Sequence, residues 1–272
     1  MYKRILVPLD GSRFSEEVLP YAVSLAAIHG TELSLLRVAD RISSEDETRD
    51  YIDRVAANHG ARGLCLQESG SVARALLEET GHEPATLLAM TSRGHSGLAE
   101  LVLGSVAQQI MREAKEPILM YHPAGIHGAK HPPVTLRRVV LSLDGSELSE
   151  AIASDAAEFA RWIGAELEVV NAVHPLNAAD VGEVSEGEMA LMESSYVRSK
   201  AKLLGKQYGI RISWDVLHGN PVEAIVDHLT GCHDVILAMA TRRRDALETA
   251  LLGSVTAGCL RKTGVPILMR PA

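Results

Sequence analysis

The chain repeats itself. KRILVPLDGSRFSEE near the N-terminus returns as RRVVLSLDGSELSEA, which sets Asp10-Gly11-Ser12 over Asp144-Gly145-Ser146, 134 residues on. The halves also close alike, LVLGSVAQQIMREAKEPILMYHP against ALLGSVTAGCLRKTGVPILMRPA, with Gly104-Ser105 over Gly253-Ser254, 149 residues on. A duplication requires one fold to satisfy two different sequences, so each assignment is made twice. The offset grows by fifteen residues, which places an insertion in the second half near His174–Glu193. That stretch is rich in Gly, Glu and Ala and reads as a loop or mobile excursion. AGIHGAKHPP, residues 124–133, has linker composition. The boundary is placed near Gly128, giving domains 1–128 and 129–272, each of ordinary size.

Within each half, short apolar runs alternate with longer helical patterns. In the first half the strands are expected over Arg4–Leu9, Glu32–Val38, Ala61–Gln67, Thr86–Met90 and Pro117–Tyr121. Helices are expected over Glu16–His29, Glu45–Asn58, Ser71–Gly81 and Val106–Ala114. Strand–helix alternation implies right-handed crossovers and a parallel sheet covered on both faces. Runs such as ILVPL, VVLSL and DVILAM suit strands buried on both sides. Each half is therefore expected to be a five-stranded, doubly wound α/β domain. Ligands in such sheets sit at the carboxyl ends of the strands, at the topological switch point.

Composition narrows the partners. Acidic residues number 35 against 27 basic, a formal net charge of −8, so no Lys/Arg surface of the kind nucleic acid or an anionic membrane demands is expected. Aromatics are only 4%, too few for base-stacking platforms. The core must come from Ala, Val, Leu and Ile. Cys65, Cys232 and Cys259 are too few and too scattered for a disulfide framework or a metal knuckle; Cys259 and Cys65 are expected in the core. No apolar run approaches the roughly 20 residues of a membrane span. MYKRILVPLDGS reads as a strand and a turn rather than a signal peptide, so a cytoplasmic protein is expected.

Strand one ends in Pro8-Leu9-Asp10-Gly11-Ser12, which projects Asp10 over the sheet while Gly11 allows the tight turn. Asp10 either faces a ligand or only caps the next helix and its loop amides. Strand four is followed by Thr91-Ser92-Arg93-Gly94, nine residues, then Gly104-Ser105 opening a helix. Glycines there let backbone approach a ligand, and a helix N-terminus offers amides and a positive dipole end to phosphate. The pattern is neither a Walker A loop nor the dinucleotide fingerprint.

The T-S-R-G, nine residues, G-S loop, the LDGS turn and the P-I-L-M ending together resemble the universal stress protein family, in a tandem form covering both halves almost end to end. ATP-binding members of that family carry G-x-x-G, nine residues, then G-[ST]; here Thr91 stands in the first glycine's place. The resemblance implies the family's adenine-nucleotide α-hydrolase-like fold and an adenosine pocket using Pro8, Leu9 and Asp10, with Val38 against adenine. Met90 and Thr91 would form the floor, while Arg93, Gly94, Gly104, Ser105 and Val106 would hold the phosphates of ATP. Mg²⁺ would accompany the nucleotide by bridging phosphate oxygens. In the second half Asp144, Gly253 and Ser254 remain, but Arg243 takes the place of Gly94 and Ser142 that of Pro8. The second pocket is therefore expected to be degenerate, its three arginines, 242–244, either holding phosphate or pointing into water.

Gly70-Ser71 and Gly219-Asn220-Pro221 read as strand exits and helix N-caps. His122, His127 and His131 around the linker match no zinc spacing. No G-x-S-x-G elbow, H-E-x-x-H or diagnostic carboxylate pair occurs, and no catalytic residue is assigned. The apolar ends Pro117–Met120 and Pro266–Met269 would lie at sheet edges; pairing them about a pseudo-twofold would cover both, as single-domain relatives dimerise. A homodimer of tandem chains follows from the same symmetry argument, with the insertion at Ala172–Ser195 as a contact or lid. Three readings stand: an ATP-binding stress-response protein that regulates an unknown protein partner, a nucleotide-free scaffold, and a weak ATPase.

Overall fold

The computed structural model describes residues 1–39, 45–67, 70–94, 103–123, 134–173, 186–241 and 252–271, without the side chains of 186–190, 192 and 193. The chain divides into two compact units, one running from Met1 to Thr135 and the other built from Leu136–Arg242 and Leu252–Arg270.

In the first unit the strands are β1 (Arg4–Pro8), β2 (Glu32–Ala39), β3 (Arg62–Gln67), β4 (Thr86–Thr91) and β5 (Ile118–Tyr121). They lie in the order β3-β2-β1-β4-β5, with every pair parallel. Helices α1 (Arg13–Glu16), α2 (Leu19–Ala26), α3 (Glu45–His59), α4 (Val72–His82) and α5 (Ser105–Glu113) connect them. Side chains on both faces of the central strands are sealed: Ile5, Leu6 and Val7 are fully buried, as are Leu35, Leu36 and Leu87. Each such aliphatic side chain contributes about 1.5–3 kcal/mol over an exposed one, so the apolar runs determine which strands are central.

The second unit repeats the plan with β6 (Arg138–Ser142), β7 (Glu166–Val173), β8 (Ile212–His218), β9 (Val235–Thr241) and β10 (Ile267–Pro271), ordered β10-β9-β6-β7-β8. Its helices are α6 (Glu147–Glu150), α7 (Ala153–Ile163), α8 (Glu186–Tyr208), α9 (Pro221–Leu229) and α10 (Ser254–Lys262). Among the described residues no helix is long and apolar enough to cross a membrane.

Three local expectations change. The helix expected over Glu16–His29 is two helices. Ser12 starts the first by accepting the Ser15 amide at 3.3 Å, and Pro20, which has no N–H to continue a helical ladder, sits in the first turn of the second. The insertion is helical from Glu186 onward, as the start of α8, while 174–185 lie outside the described residues. Cys65 is half-buried rather than core, because β3 is an outer strand; Cys259 is buried. Ser71 and Asn220 are N-caps, accepting the Arg74 amide and the Val222 and Glu223 amides.

Candidate functional site

The order β3-β2-β1-β4-β5 reverses direction between β1 and β4, so their carboxyl ends open a crevice. A cavity of about 290 Å³ lies there, close to the lower end of small-molecule sites at about 300 Å³. Strand β1 brings Pro8, Leu9 and Asp10 to its wall; β2 adds Leu36, Arg37 and Val38. Strand β4 and the following turn add Met90 through Gly94, and the start of α5 adds Gly104, Ser105 and Val106. Val72 and Leu76 of α4 close the apolar side.

Asp10 and Gly94 meet across the crevice. A Cβ on Gly94 would fall 1.9 Å from Asp10 Oδ2, so any side chain there must push the Asp10 carboxylate aside. The other oxygen, Oδ1, accepts the Ser12 amide at 2.8 Å, and Ser15 Oγ accepts the Asp10 amide at 3.3 Å. Asp10 thus braces the turn with one oxygen while the other is turned to the β4 loop. Thr91 needs no glycine freedom, since among the described non-glycine residues only His29 and Ala85 have positive φ. Its hydroxyl donates to the Arg93 carbonyl at 3.0 Å and holds the turn.

Helix α5 opens on Gly104, which makes no side-chain cap bond. Helices α1, α4, α6 and α9 instead have Ser or Asn caps bonded to first-turn amides. The amides of Ser105 to Ala107 therefore open toward the cavity with the helix's positive end. The Gly104 amide donates to the Ser92 carbonyl at 2.8 Å, fixing the helix against the loop. A Cβ on Gly104 would meet only ordinary contacts at 3.7 Å, so the protein itself leaves room there.

Two guanidinium groups line the cavity. Arg93 stacks 5.5 Å from the Phe14 ring and donates to the Pro123 carbonyl at 3.1 Å, while its Nε is buried without a hydrogen-bond partner. A buried unpaired donor costs about 1–3 kcal/mol, which an anionic ligand would recover. Arg37 lies 4.9 Å over the Tyr51 ring, and a Cβ on Gly11 (φ +86°) would stand 3.1 Å from it. Tyr51 is held by its hydroxyl, which donates to Glu16 Oε1 at 2.6 Å. Burial first, then that carboxylate, push the Tyr51 phenol well above its ordinary value, so it stays a neutral anchor for Arg37. Ser92 is fully buried and paired with His122 Nδ1 at 2.7 Å, which makes it a strut of the loop rather than an exposed nucleophile.

The family's sequence profile, described as the universal stress protein family, matches residues 1–122 and again 135–271. The chain belongs to the universal stress protein family. A universal stress protein of Synechocystis is 25% identical over 304 residues, spanning 98% of this chain and 99% of its own. A Mycobacterium tuberculosis universal stress protein is 27% identical over 293 residues, spanning 97% and 96%. Among solved structures, a universal stress protein from Archaeoglobus fulgidus superposes with a TM-score of 0.67 at 19% identity, covering all of both chains.

In the second universal stress protein domain the turn after β6 is built on the same two bonds, with a further one from the Ser146 hydroxyl to Asp144 Oδ1. Ser146 donates its amide to Asp144 Oδ1 at 2.9 Å, and Ser149 Oγ accepts the Asp144 amide at 3.2 Å. Gly253 precedes α10 without a side-chain cap bond, and Ser254 is the first helical residue. Arg242, Arg243 and Arg244 lie outside the described residues. Sequence reasoning missed Arg37, whose signal was a lone cation inside the apolar run ELSLLRVA; its counterpart is Asn171, donating to the Leu143 carbonyl.

Proposed function

We propose that the first domain binds ATP and that the chain is a stress-response regulator whose interactions depend on that occupancy. One observation carries the reading: Asp10, the glycine that must abut it, and the uncapped start of α5 surround one cavity at the β1/β4 switch point. In this reading adenine lies against Val38, with Val72 and Leu76 as its apolar surroundings, and Asp10 Oδ2 accepts from the ribose. The Ser105–Ala107 amides, Ser105 Oγ and the Arg93 guanidinium hold the phosphates, as positive partners at a helix N-terminus. Mg²⁺ fits as a companion of the phosphates rather than a resident ion, because among the described residues Asp10 is the one carboxylate lining the cavity. When bound it neutralises phosphate charge. No proton-transfer step is assigned, since Asp10 Oδ1 is already committed to the Ser12 amide. The second domain has Asn171 in place of Arg37 and Arg243 in place of Gly94, and it contributes structure and contact surface rather than a second nucleotide.

Nucleotide released from freshly purified, denatured protein and resolved by HPLC tests the reading, with Gly104→Trp alongside. About one ATP per chain, absent from the variant, is expected. An empty wild type that also ignores millimolar Mg-ATP would contradict it and favour a nucleotide-free scaffold.

A further inference from the structure

At the opposite ends of the strands from the cavity, the two domains treat the arginine that opens their first strand differently. In the first, Arg4 is fully buried; its guanidinium donates to Glu79 Oε1 at 2.8 Å, to the Glu79 carbonyl at 2.7 Å and to Thr86 Oγ1 at 3.1 Å. Its counterpart Arg138 pairs instead with Glu168 Oε2 on β7 at 2.9 Å and donates to Cys232 Sγ at 3.3 Å. Glu168 replaces Ser34 at the same register position, beside Glu166 and Glu32 respectively. His228 replaces Glu79, each eight residues past its helix N-cap, Asn220 and Ser71. Asp215 replaces Leu64, since each pairs with the residue two past that position, Val170 and Leu36.

Those three substitutions bring three ligand-type side chains together from β7, β8 and α9. One ligand atom from each of Glu168, Asp215 and His228 lies within 4.8 Å of the others. His228 Nε2 is buried and has no hydrogen-bond partner, although Glu168 Oε1 is only 3.2 Å away. Two ligands on one tetrahedral ion, with metal–ligand distances of about 2.0–2.2 Å, stand about 3.3 Å apart. The His228–Glu168 pair therefore already has ligand spacing, and Asp215, exposed on β8, stands within 4.8 Å of both. Arg138 holds Oε2 and leaves Oε1 turned to His228, the outer-shell support that orients a monodentate carboxylate ligand. Val216 does the same for Asp215 by donating its amide to Oδ1 at 2.9 Å. The arginine also weakens a purely electrostatic attraction, so a hard ion such as Ca²⁺, which wants six or more oxygens, is disfavoured against one that prizes imidazole.

We propose that Glu168, Asp215 and His228 form a site for a divalent first-row transition metal ion, with Zn²⁺ the ion of choice, water completing the coordination, and no counterpart in the first domain. The test is Zn²⁺ binding to full-length, chelator-stripped protein in competition with a chromophoric chelator, repeated with Co²⁺ for its ligand-field absorption. Wild type, Asp215→Asn and His228→Gln are compared, each checked for an unchanged unfolding midpoint without metal. Asp215 is exposed, so its variant keeps the test meaningful should His228→Gln disturb packing. At least about tenfold weaker binding in Asp215→Asn, with loss of the Co²⁺ spectrum in a folded His228→Gln, is expected. No binding by the wild type, or equal binding by wild type and Asp215→Asn, would overturn the site.

Discussion

The two domains share a backbone frame and differ in how they satisfy the side chains within it. The turn after the first strand is the same in both, down to the aspartate oxygen on the second following amide and the serine that caps the helix. Around it, pairs have been exchanged whole or re-partnered. Tyr21 and Tyr121 form a ring pair 5.4 Å apart where the second domain places the ion pair Asp155–Arg270. Arg37 over Tyr51, with Glu16 behind, becomes Tyr196 held by Glu150, with Lys200 on the same carboxylate at 2.8 Å. Arg4–Glu79 becomes Arg138–Glu168. A half-buried polar group left alone costs more than either arrangement, so a group that loses one partner is found with another. After duplication the backbone geometry persisted, and chemistry diverged by compensated pairs.

Breaking one member of a couple should expose that rule, most strongly where burial is deepest. Arg4→Met removes the buried partner of the Glu79 carboxylate, leaving it the exposed His82 ring at 3.3 Å, and should cost about 3 kcal/mol in chemical unfolding. Arg138→Met should cost clearly less, because Arg138 retains about a third of its exposure. Equal losses would mean that burial does not set the difference. Next comes Gly94→Val, whose side chain must displace Asp10: ATP affinity measured by calorimetry should fall at least about tenfold, roughly 1.4 kcal/mol, with the unfolding midpoint changed less. Unaltered affinity would separate Asp10 from the ligand.

A smaller effect is pH-dependent. Burial pushes the Glu79 carboxyl up, but hydrogen bonds and charge from Arg4 and His82 together bring it below its ordinary value of 4.5. A depressed folded-state value means a stabilising contribution present above about pH 4.5 and lost as pH falls through the lower folded value. Glu79→Gln should therefore flatten the acid limb of a stability–pH curve, and an unchanged limb would assign acid sensitivity to other carboxylates. Smallest of all, burial pushes the Cys259 thiol up to about 12, so it should resist alkylation in the native protein at pH 8 and react only on unfolding. Mass spectrometry of native-labelled protein checks this, and early labelling of Cys259 would place α10 in a looser packing than described.

The duplication, the strand order class and the strand-end position of the cavity were legible because their signals are local: apolar runs, an Asp-Gly-Ser turn, a Gly-Ser helix start. The first-half candidates, which the family resemblance implied residue by residue, all line one cavity. What escaped depends on neighbours distant in sequence. Arg37 gives no local sign of the face it occupies, and Cys65 looks like core until β3 is known to be an outer strand. Glu168, Asp215 and His228 span sixty residues without a motif, since β7, β8 and α9 assemble them only in three dimensions. The split between α1 and α2 was written in Pro20 and outweighed by the longer apolar period around it.

The central claim, that one domain holds nucleotide and its twin does not, is tested most directly by titrating Mg-ATP calorimetrically into wild type, Gly104→Leu and Gly253→Leu. One site per chain in the wild type, lost with Gly104→Leu and intact with Gly253→Leu, is the predicted result. Two sites, or a single site lost only with Gly253→Leu, would contradict it.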